Sequence, residues 1–397
     1  DTQVLTPTGT KNIKDVVVGD EVFDHTGAIV VVPQTFEYDC DEELIEIKAF
    51  YGGRGNKMTA DHKVLVSKVN RETDSRRLAQ GYRYLPDVFE PEWIRADEVE
   101  VGDLVVTPRL QLPCSTSGWR FEPVAIHQSA EKSTLSSRSI ASAAGCSSAA
   151  VKRFMNKGGE VAGATAIRIR DHLSDLGATA QDCLDVRTNK IVASTDFLPA
   201  TYGAGQLFGM FISNGWLRTD GAPTVGFAQR RSEDTGYYPG LVESLFGLKP
   251  SFLDHASKDL RQYSILHKGI YSLFRDLFPD YQQTAHTKYI PVELLSTPEE
   301  FRLGLLHGLW YGDGYNGNQT VYSTVSPRLA NDVALLLGSL GLPFGIKSQT
   351  RADSRPGFAC DSRTEYKVTT AHNFDTESMH SGGVGFDGSF TYYRVRE

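Results

Sequence analysis

The chain has 397 residues, 40% of them hydrophobic and 23% charged, an ordinary globular composition that excludes fibrous and disordered classes and suits two to four domains of ~100–200 residues. Its formal net charge of -8 argues against a nucleic-acid partner only until it is divided: residues 1–110 hold 13 basic and 21 acidic residues, residues 111–397 hold 28 of each. No apolar run approaches the ~20 residues that cross a bilayer and no signal peptide opens the chain, so no membrane partner is expected. The cysteines (Cys40, Cys114, Cys146, Cys183, Cys360) are scattered and form no C-x-x-C pair, which fits a reducing cytoplasm.

Residues 1–112 read as an all-β unit. Short β-branched runs at Val16–Val18, Ala28–Val32, Leu44–Lys48, Lys63–Val66 and Leu104–Thr107 are separated by turn residues. The stretch Ile13–Val22 is echoed by Ile94–Val105, each with a Val-Gly-Asp or Val-Gly-Asp-Leu turn entering a strand, which predicts two related β units. Thr59-Ala60-Asp61-His62 precedes a strand. A single histidine there is more often structural, but the opening Asp1–Gly9, the Val-Gly-Asp turn and Thr-x-x-His together resemble the first half of an intein, the Hint fold. The resemblance implies that Thr59 and His62 polarise the upstream splice junction, with Asp61 as helper, and that Trp93–Pro108 closes the first Hint half. It also implies host exteins as partners in a precursor, and no splicing by a chain that starts at Asp1 and ends at Glu397.

Residues 113–190 turn Ser/Ala-rich and helical in period. Between 132 and 170 stand seven basic residues against one acid, Glu160. Ser136–Asn156 has a tight Gly-Cys-Ser turn between two short helices, with Ile140, Ala144, Val151 and Phe154 as their shared core. This resembles a helix-turn-helix of the lactose-repressor type, although a generic helical hairpin would share much of the pattern. The predicted recognition helix, Ser148–Met155, would set Ser147, Ser148, Ala149 and Lys152 near base edges, and Arg153 and Lys157 on phosphates.

Residues 191–384 hold a second echo. Leu207–Gly215 (LFGMFISNG) matches Leu306–Gly314 (LHGLWYGDG), and each is followed by a strand (Val225–Gln229; Thr320–Thr324) and an apolar helix (Leu241–Phe246; Leu329–Leu340). Gly209 and Ser213, like Gly308 and Gly312, lie four apart on one helix face, where lack of bulk lets two helices approach. Asn214 and Asp313 would meet where the helices end. Paired acids at such a junction can hold a divalent metal for phosphodiester hydrolysis. Either copy alone would read as a helix-ending turn. The repeat resembles the single-chain LAGLIDADG homing endonucleases over about residues 200–380.

That resemblance extends to Lys288-Tyr289-Ile290-Pro291, a Lys-x-Ile-Pro linker, and to Gln229-Arg230, in the place of a Gln-Lys pair near the metal. It makes Lys268, in the strand-to-helix segment Tyr263–Phe274, a candidate second active-site lysine or DNA contact. It implies a Mg2+-dependent hydrolase acting as a monomer on double-stranded DNA, with Asp313 and Asn214 as metal residues and Gln229, Arg230 and Lys268 beside them. The departure is Asn214, an amide where the family has an acid, which predicts impaired, nicking or absent cleavage.

The expected fold class is therefore multi-domain: an all-β Hint unit (1–112), a small all-α helix-turn-helix unit (113–190), an α+β LAGLIDADG unit with pseudo-twofold repeats about two central helices (191–384), and a return strand of the Hint unit (385–397). His372-Asn373-Phe374 mimics an intein's closing motif but sits where the last nuclease strand (Glu365–Thr370) ends. The alternative is a degenerate element that only binds DNA.

Overall fold

Short antiparallel β-hairpins organise the N-terminal region. The computed structural model describes residues 2–49, 55–69, 85–86, 88–127, 137–156, 163–178, 191–233, 236–255, 259–279, 284–316, 320–351, 363–374, 378–379 and 384–396. Strands β1 (Gln3–Thr6) and β2 (Gly9–Asn12) pair antiparallel, as do β3 (Glu21–Phe23) with β4 (Ile29–Val31) and β5 (Ile45–Ile47) with β6 (Asn56–Met58). Val16–Val18, expected as a strand, is not one. It follows the 3-10 turn Ile13–Asp15, and its Val17 N–H is drawn 2.7 Å from the Asp20 carboxylate, out of any ladder.

The internal echo has a common geometry. Gly19 (φ 95°) and Gly102 (φ 102°) both turn left-handed after a 3-10 turn. The following aspartate then accepts the backbone N–H three residues back and a lysine: Asp20 takes Val17 at 2.7 Å and Lys11 at 2.6 Å, Asp103 takes Glu100 at 2.9 Å and Lys68 at 2.9 Å. The two lysines come from unrelated positions, so the turn repeats while its cation is recruited separately.

β7 (Lys63–Ser67), β8 (Pro91–Arg95) and β9 (Leu104–Pro108) join a sheet completed from the far end of the chain. The strands Gly118–His127 (β10) and Ile191–Pro199 (β11) form a two-stranded ribbon, and Glu122–Asp196 with Phe246–Leu248 make up a separate compact unit. Within that unit, helices α1 (Ser137–Ala143), α2 (Ser148–Asn156) and α3 (Ala164–Asp175) enclose a core of Ile140, Ala144, Val151 and Phe154, joined by Met155, Ile169 and Leu173. Gly145 (φ 59°) ends α1 left-handed, with Cys146 N–H on Ala141 O at 2.9 Å, and Ser147 Oγ caps α2 through Ala150 N–H at 3.2 Å.

All remaining residues belong to the other compact unit, Asp1–Phe121, Phe197–Leu245 and Lys249–Glu397. After β11 comes α4 (Tyr202–Asn214), then β12 (Gly215–Arg218), β13 (Thr224–Arg230), α5 (Tyr237–Phe246), β14 (Ser251–His255), β15 (Leu260–Ile265) and α6 (Lys268–Leu277). A second set follows α7 (Val292–Leu295): α8 (Glu299–Asp313), β16 (Gly314–Asn316), β17 (Thr320–Thr324), α9 (Pro327–Ser339), β18 (Phe344–Arg351) and β19 (Arg363–Thr370). The sheet orders β12-β13-β15-β14 and β16-β17-β19-β18 are the same, so the sequence echo is a repeat of structure. β20 (His372–Asn373) pairs with β21 (Ser378–Met379), and Phe374 packs on Trp310 at 4.6 Å. β22 (Val384–Phe386) and β23 (Phe390–Arg394) then complete the five-stranded order β22-β23-β9-β7-β8, with Tyr392 opposite Val106. No helix among the described residues is long and apolar enough to cross a membrane.

Helix α9 is buried from Asp332 to Ser339 and starts cleanly, Ser326 Oγ capping Leu329 N–H at 3.1 Å ahead of Pro327. Its one acid, Asp332, is 3% exposed and accepts Ile290 N–H at 2.8 Å. Burial pushes this carboxyl up to about 7, against the N–H and the Arg328 charge, which pull it down. The folded protein thus holds the proton more tightly than the unfolded chain does. The stability Asp332 contributes is complete below the unfolded value of 3.8 and is lost as pH rises through about 7. Asp332→Asn keeps an acceptor without a charge. The variant should gain about 2–4 kcal/mol over the parent at pH 8 in urea titrations, and nothing at pH 4.

Candidate DNA-cleavage site at the ends of the paired helices

Helices α4 and α8 approach closely through glycines, with the Tyr202 hydroxyl meeting His307 Nδ1 at 2.5 Å between them. A Cβ on Gly205 or Gly209 would lie 2.1 Å from Phe301 O or 2.3 Å from Leu305 O, and one on Gly304 or Gly308 would lie 2.0 Å from Tyr202 O or 2.2 Å from Gln206 O. The contact is reciprocal and longer than the expected Gly209/Ser213 and Gly308/Gly312 pairs, since Gly205 and Gly304 extend it by a turn. At the far end Gly312 leaves room for Ser213, whose hydroxyl donates to Leu309 O at 3.1 Å.

The chain then leaves both helices directly into strands. Gly215 (φ -92°) and Gly314 (φ -88°) are extended, so neither motif is a left-handed helix-ending turn. They are glycines because a Cβ would strike Phe211 or Trp310 at 2.3 Å. This geometry sets Asn214 against Gly312, the residue before Asp313. The Asn214 amide donates to Gly312 O at 3.4 Å, across the helix pair.

The ammonium facing Asp313 belongs to Lys288, 3.7 Å from Oδ2, and it also donates to Ser213 O at the end of α4. Burial lowers the Lys288 pKa while Asp313 opposes the change; burial raises the Asp313 carboxyl while Lys288 opposes that. Lys288 is placed by its own segment: Ser326 Oγ donates to Lys288 O at 2.7 Å, Asp332 holds Ile290 N–H, and Arg328 lies over the Tyr289 ring at 4.0 Å. Sequence reading treated this lysine only as part of a linker. Its place immediately before the second repeat was the available signal.

Gln229 donates to Tyr311 Oη at 2.8 Å, so it reaches the last turn of α8. Arg230, the last residue of β13, and Lys268, the first residue of α6, are both exposed. His267 caps α6, its Nδ1 accepting Gly269 N–H at 3.1 Å. A metal test is direct. One carboxylate already facing an ammonium, beside an amide, does not make the two-carboxylate site of a divalent cation. Among the described residues no group of three His, Cys, Asp or Glu side chains could hold a metal ion.

Two other residue sets were expected. Thr59, Asp61 and His62 share one turn before β7, Thr59 half-buried and Asp61 and His62 exposed, with His62 N–H on Thr59 O at 3.1 Å. The Thr59 hydroxyl donates to the Asp61 carboxylate and holds its pKa down. In the helical unit, Ser147, Ala149, Lys152 and Arg153 are exposed and Ser148 half-buried. Ala149, Lys152, Arg153 and Asn156 form one outward stripe of α2, opposite the buried Val151, Phe154 and Met155. Lys157 lies outside the described residues.

A family model described as a LAGLIDADG-like domain matches residues 300–375, the second helix and its sheet. Over 362 residues the chain is 25% identical to the ATP-dependent DNA helicase Hel308 of Thermococcus kodakarensis, covering 89% of this chain and 28% of the helicase. It is 24% identical over 377 residues to the uncharacterized protein MJ0043 of Methanocaldococcus jannaschii, covering 90% of this chain and 38% of that protein. A DNA polymerase of Thermococcus litoralis is 29% identical over 143 residues, covering 35% of this chain and 8% of the polymerase. The chain thus spans about a third of the length of the first two relatives. Among solved structures it is similar to mesophilic variants of the homing endonuclease I-DmoI, at 15% identity over 43% of this chain and 89% of that one, with a TM-score of 0.30. I-DmoI in complex with DNA and Mn gives 15% identity, 43% and 90% coverage and the same TM-score of 0.30. Residues 300–375 therefore form a LAGLIDADG-like domain.

Proposed function

We propose that this chain is the body of an intein that carries a two-repeat LAGLIDADG homing endonuclease, directed to a long double-stranded DNA site and impaired in cleavage. The observation that carries this reading is the reciprocal glycine packing of α4 on α8, which sets the Asn214 amide against Gly312, the residue before Asp313, where both helices hand over to equivalent sheets. Both halves lie in one chain, so the active form is a monomer. Alignment of most of the chain within a minor part of longer relatives supports a segment lodged in host exteins. Pairing of the tail strand β23 with β9 supports a Hint unit interrupted by the nuclease, with Thr59, Asp61 and His62 as its splicing residues.

The chain's own residues account for the impairment. Asp313 supplies the one carboxylate, and Lys288 holds a proton beside it, so the pair is neutral together and offers little to a cation. A divalent cation such as Mg2+, held between Asp313 and a second carboxylate, would neutralise charge on the scissile phosphate, and the amide of Asn214 does not supply that second carboxylate. Gln229 is placed to contact the nucleic acid beside this point, with Arg230 and Lys268 on exposed flanks. The other reading, a site-specific binder without any cleavage, is favoured by the same Asn214 and Lys288.

Selecting bound and nicked duplexes from a random DNA library tests the proposal. Enrichment of one long site with single-strand nicks supports an impaired nuclease, enrichment without nicks supports the binder, and no enrichment overturns both. The stripe on α2 is proposed as the reader of additional base pairs, extending the footprint by effective concentration. With the selected site in hand, Lys152→Ala should weaken binding about tenfold and reduce the slope of log K against log salt by about one. An unchanged affinity and slope would leave the three helices as a structural hairpin.

A further inference from the structure

About 16 Å along α8 from Asp313, at 1.5 Å per residue, lies a buried guanidinium that feels the Glu299 charge. Arg302 is 8% exposed, and its Nε and Nη1 have no hydrogen-bond partner among the described residues. A buried arginine cannot discharge the cost by losing its proton, and an unpaired buried charge is among the most destabilising features a fold can keep. It borders a cleft of about 430 Å3 where five parts of the chain converge, Thr26 among them. Arg109 at the end of β9, Arg302 on α8, Ser339 at the end of α9 and Ser389 in the turn before β23 all line it.

The charges around the cleft do not balance. Arg109 already has partners: its Nη2 meets the Glu299 carboxylate at 2.5 Å and its Nε donates to Ser339 O at 3.2 Å. Glu299, 59% exposed, is thereby used by Arg109. Two guanidinium groups against one carboxylate leave a net positive charge beside a space large enough for a ligand, with the planar donor fork that suits two oxygens of one anion.

We propose that Arg302, with Arg109, forms a binding site for a small oxyanion, a phosphate or a carboxylate, at the junction of the five-stranded sheet and the helix pair. The anion would complete Arg302 and tie the Asp387–Phe390 turn to α8 and α9. This site is separate from the helix ends, and its occupancy does not depend on whether the chain cleaves DNA.

The test is calorimetric titration of the full chain in chloride buffer with sodium phosphate, sulfate and acetate in separate runs. Saturable binding near one anion per chain is expected, weakened at least tenfold by Arg302→Met. Phosphate binding more tightly than acetate assigns a phosphate-bearing ligand, and the reverse assigns a carboxylate. In anion-poor buffer Arg302→Met should melt no lower than the parent, because it deletes a buried charge with two donors left without acceptors; a purely structural arginine would give a lower melting temperature. Arg302→Lys, which keeps the charge and loses the fork, should fold and still bind at least tenfold more weakly. No saturable heat from any of the three anions, or binding unchanged in both variants, overturns the proposal.

Discussion

Asn214→Asp should turn this chain into a metal-dependent nuclease. A second carboxylate beside Asp313 supplies the charge that the single one lacks, and it also draws Lys288 away from sole attachment to Asp313. Charge stabilisation by a bound divalent cation is worth several kcal/mol in the transition state, so cleavage of the selected site should rise about 100-fold or more with Mg2+. Supercoiled plasmid carrying that site would report nicked and linear products separately. Mn2+ titration followed by electron paramagnetic resonance gives a readout independent of activity: the variant should bind at the helix ends and Asn214→Asp with Asp313→Asn should not. If Asn214→Asp neither binds Mn2+ nor cleaves better than the parent, the helix ends are not the metal site.

Gly308→Val should abolish folding of the helix pair. The first added carbon would sit 2.2 Å from Gln206 O, a backbone atom that cannot swing aside as a side chain tip can. Relief requires the helices to separate by more than an ångström, which strips packing from the fully buried Leu305, Leu306 and Leu309 as well. The expected loss is about 4 kcal/mol or more, enough to leave most of the protein insoluble or molten by near-ultraviolet circular dichroism. Gly240→Ala is the control. That glycine lies within α5, a Cβ there meets nothing within 4 Å, and the substitution should stabilise by about 0.5–1 kcal/mol.

Much of the second half is readable from local pattern. The nonamers at 207–215 and 306–314, with small residues four apart, already mark two helices that approach closely, and the apolar run at 329–340 is a buried helix. The core of the small helical unit was visible for a similar reason: Ile140, Ala144, Val151 and Phe154 recur at helical spacing around a Gly-Cys-Ser turn. Val16–Val18 shows the limit of such patterns. Its β-branched residues have the propensity for a strand, but one side-chain acceptor, Asp20, captures the backbone N–H and exposes Val17 and Val18 at 56% and 61%.

Lys288 and Arg302 lay outside what pattern could show. Lys288 matters because Ser326, Asp332 and Arg328 of a helix some forty residues later fix its backbone and neighbour, and only then does its ammonium reach Asp313. Arg302 is conspicuous only through what surrounds it, Arg109 and Glu299 being used on each other.

By itself the sequence determined the repeats, the helix pair, the amide at position 214 and the separation of an acidic β-rich start from a basic helical insertion. These are set by side-chain spacing and composition, which act within a few residues. The tertiary structure alone decided which charges meet, that β9 is the strand the returning tail pairs with, and which guanidinium nitrogens are buried without an acceptor among the described residues. Those outcomes depend on distances between residues far apart in the chain, fixed by backbone contacts such as Gly308 on Gln206 that no local pattern contains.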